Sequence, residues 1–434
     1  MITYIFNFFS KVGLDLVSRF LGIITLPIIA RGLGPNGYGK LTYANVIASY
    51  FVIFLDFGFT THGINEIVSK KRTDILVGEI ISAQILIVFF SIVINCIISF
   101  FLFDFNFSLL VFLFIIGLYL QTFNISYYYI AVKKLYLLSI AQLIGQIIYV
   151  ALIIFVFGIF KNVISIIIIS IFTYLLTASV LFFSFLKENR IVLRISFVKL
   201  FKLIRKVYPL GIANKLEGIT TSFIVLILGL YLSEYFVGVY SAAFKIFAIL
   251  LSIVQSLTYT LMPSILNNAK KQLLEKPANN NLNILFYLFV FSGISLGLFT
   301  FYFSPHLIHL LFGGKFDKSV YLLKFFAITI TLWPIHMFIG NILIALNNYK
   351  YYLLLTSITF ISSVVYSIIL IELLGITGAA LVLPISALVS IIIGFFLLKR
   401  QLNNVSFNFK LLDLISPTNF IDSLYSIISQ SIIK

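Results

Sequence analysis

The sequence predicts an all-α polytopic membrane protein of about twelve transmembrane helices, arranged as two six-helix lobes around a central cavity. Three observations carry that prediction. First, 61% of the 434 residues are hydrophobic and only 10% are charged, with a mean hydropathy of +1.13. A soluble chain of this length could not cover so much apolar surface, so lipid is the expected solvent. Second, apolar runs of about 20 residues, the length that crosses a bilayer as a helix, recur about twelve times. Nothing alternates at period two for long enough to build a barrel, and a spanning segment that is not a barrel strand must be a helix. Third, the basic residues fall on one side of the spans. With the N-terminus in the cytoplasm, 21 of the 30 Lys and Arg lie on the inner side, against five (Arg31, Lys40, Lys161, Lys315 and Lys318) on the outer. This asymmetry orients the chain with both termini cytoplasmic, and it explains the net charge of +16 without nucleic acid.

Taken in order, the N-terminus "MITYIFNFFSKVGLDLVSRF" lacks the basic n-region, clean apolar core and cleavage site of a removed signal. It reads as mature protein leading into the first span, 12–30. The next five spans are 40–62, 78–100, 107–131, 138–158 and 161–186, closing an N-lobe over 1–186. The longest hydrophilic connection, 187–206, is a basic cytoplasmic linker. A C-lobe over 207–398 then holds spans 207–230, 236–262, 283–303, 320–346, 351–371 and 378–398. The tail 399–434, with "KLLDLISPTNFIDSLYSIISQSIIK", is too short and polar for a further span and is placed in the cytoplasm.

Between the first two spans lies "RGLGPNGYGK", in which Gly32, Gly34 and Gly37 spell the G-x-G-x-x-G of dinucleotide-binding loops. That motif needs a preceding strand, a helix N-terminus and an acidic residue about 20 positions on. Here a membrane helix precedes it, Pro35 removes a backbone donor, and Asp56 falls inside a membrane helix. The glycines instead predict a tight turn, with Gly34 ending one helix and Pro35-Asn36-Gly37 leading to the next. Cys96 is the only cysteine, which excludes an intrachain disulfide and a thiolate metal cluster. His306, His309 and His336 show no metal-ligand spacing and are read as structural or interfacial. His62 and Glu66, four apart at the inner end of the second span, are read as solvated.

An internal repeat emerges when Gly39 is aligned with Gly238. "GKLTYA" (Gly39 to Ala44) and "GVYSAA" (Gly238 to Ala243) share G-x-[LY]-[ST]-x-A, and both open the second helix of their half. Because each half starts inside, the repeat is parallel, about a pseudo-two-fold axis along the membrane normal.

Ionisable groups inside spans cost at least about 2.5–3.5 kcal/mol each and call for a reason. Arg19 stands on the first helix roughly 10 Å from its inner end, with Asp15 one turn before it. On the seventh helix Lys215 and Glu217 sit at a similar depth. Lys245 lies near the middle of the eighth, and Asp56 toward the inner end of the second. Plainer readings compete: Asp15 and Arg19 as a self-neutralising i,i+4 pair, Lys215 and Lys324 as snorkelling cations, Glu372 as interfacial. If Arg19, Lys215 and Lys245 converge, they line the seam between the halves, where a low dielectric strengthens their grip on an anionic head group such as phosphate.

The string "ARGLGPNGYGKLTYANVIASYFVIFLDFGF", together with "YPLGIANKLEGITTSFIVLILGLYLSEYFVGVYSAAFKIFAILL" and "LLGITGAALVLPISALVSIIIGFFLLK", resembles the polysaccharide exporters (O-antigen flippases) of the multidrug/oligosaccharidyl-lipid/polysaccharide (MOP) superfamily over about 1–400. The resemblance implies a bacterial inner-membrane flippase for undecaprenyl-pyrophosphate-linked sugar repeat units of O-antigen or a similar surface polysaccharide. It also implies two lobes around a V-shaped cavity, with Arg19, Lys215 and Lys245 on helices where basic residues engage the pyrophosphate. Implied partners are the lipid bilayer, the lipid-linked glycan, and the polysaccharide polymerase and chain-length machinery. No cofactor or metal is expected; a coupling H+ or Na+ could be taken by Asp15, Asp56 or Glu217. The alternatives are a drug efflux antiporter of the same superfamily, which relies on acidic pockets, and a lipid II-type flippase, whose two further helices this chain lacks. An enzyme is disfavoured because no large extramembrane loop carries catalytic residues, and a nucleotide-driven pump because no G-x-x-x-x-G-K-[ST] is present. An ion gradient or the substrate gradient must then drive the cycle.

Overall fold

A computed structural model describes residues 2–53, 59–68, 73–122, 125–189, 218–274, 280–346 and 348–401, and every regular element among them is helical. In chain order these are α1 (Ile2–Ile53), α2 (Phe59–Val68), α3 (Thr73–Leu102), α4 (Phe105–Thr122), α5 (Ser126–Ala131), α6 (Leu135–Leu152), α7 (Gly158–Phe160) and α8 (Val163–Glu188). They continue as α9 (Gly218–Tyr231), α10 (Glu234–Leu274), α11 (Asn280–Leu311), α12 (Asp317–Ala345), α13 (Tyr349–Leu374) and α14 (Ile376–Gln401). Among the described residues, eight helices are long and apolar enough to cross a membrane, with α9 and the stretch Phe105–Leu120 as shorter apolar helices. The protein is a multi-pass membrane protein.

Hydrocarbon offers no hydrogen bonds, so polar groups within a span must be satisfied by the chain itself. The hydroxyls of these helices show how. Ser82 donates to the carbonyl of Gly78 at 2.7 Å, Thr359 to Leu355 at 2.8 Å, Ser363 to Thr359 at 2.8 Å and Ser367 to Ser363 at 2.6 Å. Each is a bond back to the preceding turn, which lets a hydroxyl sit in an apolar helix.

Five expectations about the turn and the spans are corrected in detail. The turn predicted over 34–37 shrinks to one residue: α1 runs helically from Ile2 to Ile53 except at Gly34, which adopts φ 66°, ψ 179°. Only glycine takes that conformation without strain, while Pro35 suits a helical first turn because its missing N–H is not needed there. The expected fourth span, 107–131, is not one helix: α4 ends at Thr122 and α5 begins after Ile125, whose φ is 38°. The fifth is longer than expected and interrupted, since a π turn over Ile153–Phe157 joins α6 to α7. The eighth and ninth spans also extend well beyond the expected bounds, as α10 and α11. The linker residues 190–206 and tail residues 402–434 lie outside the described residues.

The chain forms two compact units: Met1–Gly229, Ser233–Gly238 and Leu311–Lys315 in one, and Leu230–Leu232, Val239–Leu310 and Phe316–Lys434 in the other. In the first, α1 packs on α4 and α6, and α8 on α4 and α6. Near α2, α3 and α5 a separate apolar core gathers Phe59, Val77, Ile80, Tyr129 and Phe185, with the Tyr129 hydroxyl donating to the Leu181 carbonyl at 2.6 Å. In the second, α14 packs on α12 and α13 around Ile265, Leu285, Phe289, Phe338, Ile339 and Leu355.

The two glycines aligned by the repeat meet inside the first unit. A Cβ on Gly39 would strike the backbone carbonyl of Glu234, and one on Gly238 would strike that of Pro35. The first turn of α10 therefore crosses α1 backbone to backbone. Around this crossing Lys40 pairs with Glu234 at 3.3 Å, and the ring of Tyr38 meets Phe312 edge-on at 5.7 Å. Burial pushes the Tyr38 hydroxyl's pKa above its ordinary value, so the phenol stays neutral.

Two predictions follow from these local features. Gly39→Ala forces backbone to move against backbone and is expected to destabilise the protein by about 1–3 kcal/mol, read as a lower midpoint of thermal unfolding in detergent. Asn162 caps α8 by accepting from the Ser165 amide at 2.7 Å; Asn162→Ala is expected to cost about 1 kcal/mol in the same assay.

Candidate functional site

Of the three cations predicted to line the cavity, Lys245 is the one whose side chain is described. It stands on α10 about three turns from the start at Glu234, roughly 16 Å along the helix. Its neighbours divide sharply by face. Tyr240, Ala242, Ala243, Ile246 and Phe247 are buried, whereas Lys245 is exposed. The buried face is aromatic: Tyr240 stacks on Phe244 with ring centroids 6.1 Å apart and meets Phe326 of α12 edge-on at 5.5 Å, while Phe247 reaches the same ring at 5.3 Å. These contacts fix the rotation of α10 and hold Lys245 on the opposite side.

A polar stripe accompanies it. Ser241, Lys245, Ser252 and Ser256 are spaced by four, seven and four residues, which places them on one helix face. Ser252 and Ser256 bond back to Ile249 and Ser252 at 2.6 and 2.9 Å, whereas the buried Ser241 hydroxyl has no partner. The sequence reading singled out the lysine and missed the serines. The signal was present as a 3.6-residue period of small hydroxyls, which is faint because serine is common in membrane helices.

The other candidates fare unevenly. Arg19 and Asp15 fall on the helical backbone of α1, but their side chains lie outside the described residues, as do Asp56, Lys215 and Glu217 altogether. Lys324, read as snorkelling, is half-buried and places its ammonium 5.4 Å from the centre of the Phe301 ring on α11, a cation–π contact. His62 and Glu66, read as solvated, are drawn inward instead: His62 is 8% exposed, and its Nδ1 lies 3.8 Å from the Glu66 carboxylate. The cause is α5, whose Tyr127 ring packs against Gly63 and covers that end of α2. His309 lies 2.7 Å from Asp317, on exposed surface.

Where α5 gives way to α6, Lys134 grips the Glu188 carboxylate with both oxygens, at 2.5 and 2.6 Å. This raises the lysine's pKa above its ordinary value, the hydrogen bond being the main cause. Tyr128 donates to the same carboxylate at 3.4 Å, and Asn189 to Tyr128 at 2.9 Å.

The acidic side chains that are described, Glu66, Glu79, Asp104, Glu188, Glu234, Asp317 and Glu372, all lie within two turns of a helix end or in a turn. None stands at mid-span beside Lys245, and no cluster of three or more His, Cys, Asp or Glu among the described residues could hold a metal.

The sequence profile of polysaccharide biosynthesis proteins matches residues 6–269, more than half of the chain. The chain belongs to the polysaccharide biosynthesis protein family. Lys245 and its serine stripe fall inside the part matched. This polysaccharide biosynthesis protein is 28% identical over 174 residues to the probable low-salt glycan biosynthesis flippase Agl15 of Haloferax volcanii. That alignment takes in 39% of the chain and 36% of the relative, so the chain spans about a third of the relative's length. Among solved structures, it superposes on the lipid II flippase MurJ in an inward closed conformation with a TM-score of 0.72 and 16% identity, over 98% of this chain and 91% of that one. It superposes on an inward-facing multidrug resistance MATE family transporter of the MOP superfamily with a TM-score of 0.68 and 13% identity, over 91% and 98% respectively. At such identities the likeness establishes the fold: this is the helical architecture of MOP-superfamily transporters.

Because α10 packs through Tyr240, Phe244 and Phe247, Lys245→Met is expected to leave stability within about 0.5 kcal/mol of native, checked by thermal unfolding of the purified protein. A larger loss would mark Lys245 as a structural residue.

Proposed function

We propose that this protein is an alternating-access flippase that moves the polar head of a lipid-linked oligosaccharide across a bacterial cytoplasmic membrane, from the inner to the outer leaflet. The observation that carries this reading is Lys245: an exposed ammonium on a midspan face of α10, continued by serines, in a chain of the polysaccharide biosynthesis protein family. A fixed cation in a low-dielectric channel binds phosphate oxygens through charge-assisted hydrogen bonds, and serine hydroxyls suit a sugar chain. The undecaprenyl-pyrophosphate-linked repeat unit has both chemistries. Its hydrocarbon tail stays in the bilayer while the head crosses. Arg19 and Lys215 complete the phosphate contacts in this reading, with the termini cytoplasmic and an ion gradient as the source of work. No chemical step is assigned, since a flippase only moves its substrate. Drug efflux is the weaker reading, because a cation-binding pocket needs acidic groups and none of the described acidic side chains stands at mid-span beside Lys245.

Deletion of the gene is expected to leave lipid-linked repeat units on the cytoplasmic leaflet and to deplete surface glycan. Unchanged glycan would count strongly against the proposal. In the complemented strain, Lys245→Gln loses a charged hydrogen bond of about 1.5–3 kcal/mol. Transport is then expected to fall roughly 10- to 100-fold at normal protein levels. Full complementation by the neutral variants of Arg19, Lys215 and Lys245 would remove the phosphate-binding role.

A further inference from the structure

The interior of the second unit contains a polar site that the substrate reading leaves unused. His336 lies about two-thirds of the way along α12, half-buried, and its Nδ1 is 2.7 Å from the Ser390 hydroxyl on α14. Its ring is 5.2 Å from that of Trp333, one turn earlier on the same helix. Among the described residues, three further buried polar atoms on these two helices have no hydrogen-bond partner: the Trp333 indole Nε1, the Ser386 hydroxyl one turn before Ser390, and the Thr329 hydroxyl one turn before Trp333. Trp333 is 6% exposed, Ser386 1% and Thr329 and Ser390 0%. By spacing, Thr329, Trp333 and His336 share one face of α12, and Ser386 and Ser390 share one face of α14.

The contrast with neighbouring hydroxyls gives this cluster its meaning. Thr331 on α12 donates back to Ala327 at 3.0 Å, and Thr359, Ser363 and Ser367 on α13 do the same within their helix. Thr329 and Ser386 could bond back in that way and do not. Buried polar groups are nearly always satisfied, so three unsatisfied ones on the two helices of this pair call for a reason.

We propose that His336 and Ser390 form a proton-binding site within the second unit, and that the proton held there is the ion whose gradient drives transport. This rests on the flippase reading for its role in transport, but not for the binding itself. The neutral imidazole takes up one proton from the solution on one side and returns it on the other; no other bond is made or broken. Once charged, the ring carries an N–H on both nitrogens. Ser390 must then accept from Nδ1, and Nε2 needs an acceptor of its own. The uncommitted oxygen of Ser386, one turn before Ser390 on α14, is the group that can supply it after a small adjustment of α12 against α14. Proton binding thereby favours a different packing of these helices, which is what a coupling ion must do, since an ion shifts an equilibrium only by binding one state better.

The described charged groups on α12 and the elements around it stand away from this histidine, with Asp317 and Lys318 in the first turn of α12. Lys324 lies 12 residues earlier on α12, roughly 18 Å along the helix. Lys245 on α10 faces away from α12, which is met by Tyr240 and Phe247. Lys350 and Glu372 occupy the two ends of α13, Lys399 and Arg400 the end of α14, and His306 and His309 the last two turns of α11. Where α11 meets α12 most closely, Gly293 and Gly297 pack on Thr331 and Pro334. Tyr352 of α13 packs against Gly340, one turn beyond His336.

The test is nitrogen NMR of histidine-labelled protein in lipid nanodiscs from pH 3 to 8, alongside transport in reconstituted vesicles under an imposed pH gradient. The chain has four histidines, and the signal missing from His336→Asn, which keeps a hydrogen-bonding group near Ser390, assigns the one of interest. That imidazole is expected to titrate within the range, with a midpoint that Ser390→Ala moves by about one pH unit. Stimulation of transport by the pH gradient is expected to vanish in His336→Asn. An imidazole that never titrates, a midpoint unmoved by Ser390→Ala, or a pH response in His336→Asn equal to native overturns the proposal. If His336→Asn does not fold, Ser390→Ala carries both readouts, a native pH response there counting against the site. If the native protein moves no lipid-linked glycan, the flippase reading fails, while the titration still decides whether the site binds a proton.

Discussion

The absence of hydrogen-bonding solvent around the spans is the constraint on which everything else in this protein depends. It dictates helices, and it sends serine and threonine hydroxyls back to the carbonyls of their own helices. It also leaves a charge in mid-span with few ways to survive. Lys324 lies over an aromatic ring. Lys245 has no such partner among the described residues, and the aromatic packing on the other side of α10 holds it in its exposed position. Against that background, the buried polar atoms left without a partner among the described residues stand out.

Much of the fold was legible because membrane helices announce themselves by length and composition. The boundaries were not. Hydropathy sees α10 end where its apolar run fades, near 262, whereas the helix continues to Leu274 because backbone bonding continues into polar sequence. The break at Gly34 was readable as a place but not as an extent: Pro-Asn-Gly is common turn chemistry, and only the neighbouring helices decide that Pro35 starts a helix. Of the site, Lys245 could be found because a lysine in an apolar run is conspicuous. The serine stripe and the His336–Ser390 pair could not, because one needs helical phase and the other needs two helices 54 residues apart brought side by side. His62 and Glu66 were misread for a related reason: nothing local indicates that the tyrosines of α5 will cover them.

The glycine repeat changes character once seen in three dimensions. In the sequence, Gly39 and Gly238 are equivalent positions in two copies of one motif; in the fold they are each other's neighbours. A motif that both copies bring to a single crossing explains why the residue type must be glycine in each. The two lengths of chain approach too closely for any side chain, whatever the rest of each motif contains.

The π turn at Ile153–Phe157 has a consequence of its own. It admits one residue more than an α-helix would, so every side chain beyond it is rotated by about 100° relative to the pattern before it. Phe157, which is 1% exposed, is thereby brought against Gly32 of α1, while Phe155, Ile159 and Phe160 face outward at 72%, 77% and 63% exposure. The segment thus behaves as a phase correction between two stretches of one helix. It is a place where the chain length counts more than the identity of the residues: removing a single residue there would turn the outer end of the helix, whereas exchanging one aliphatic side chain for another would leave its register intact.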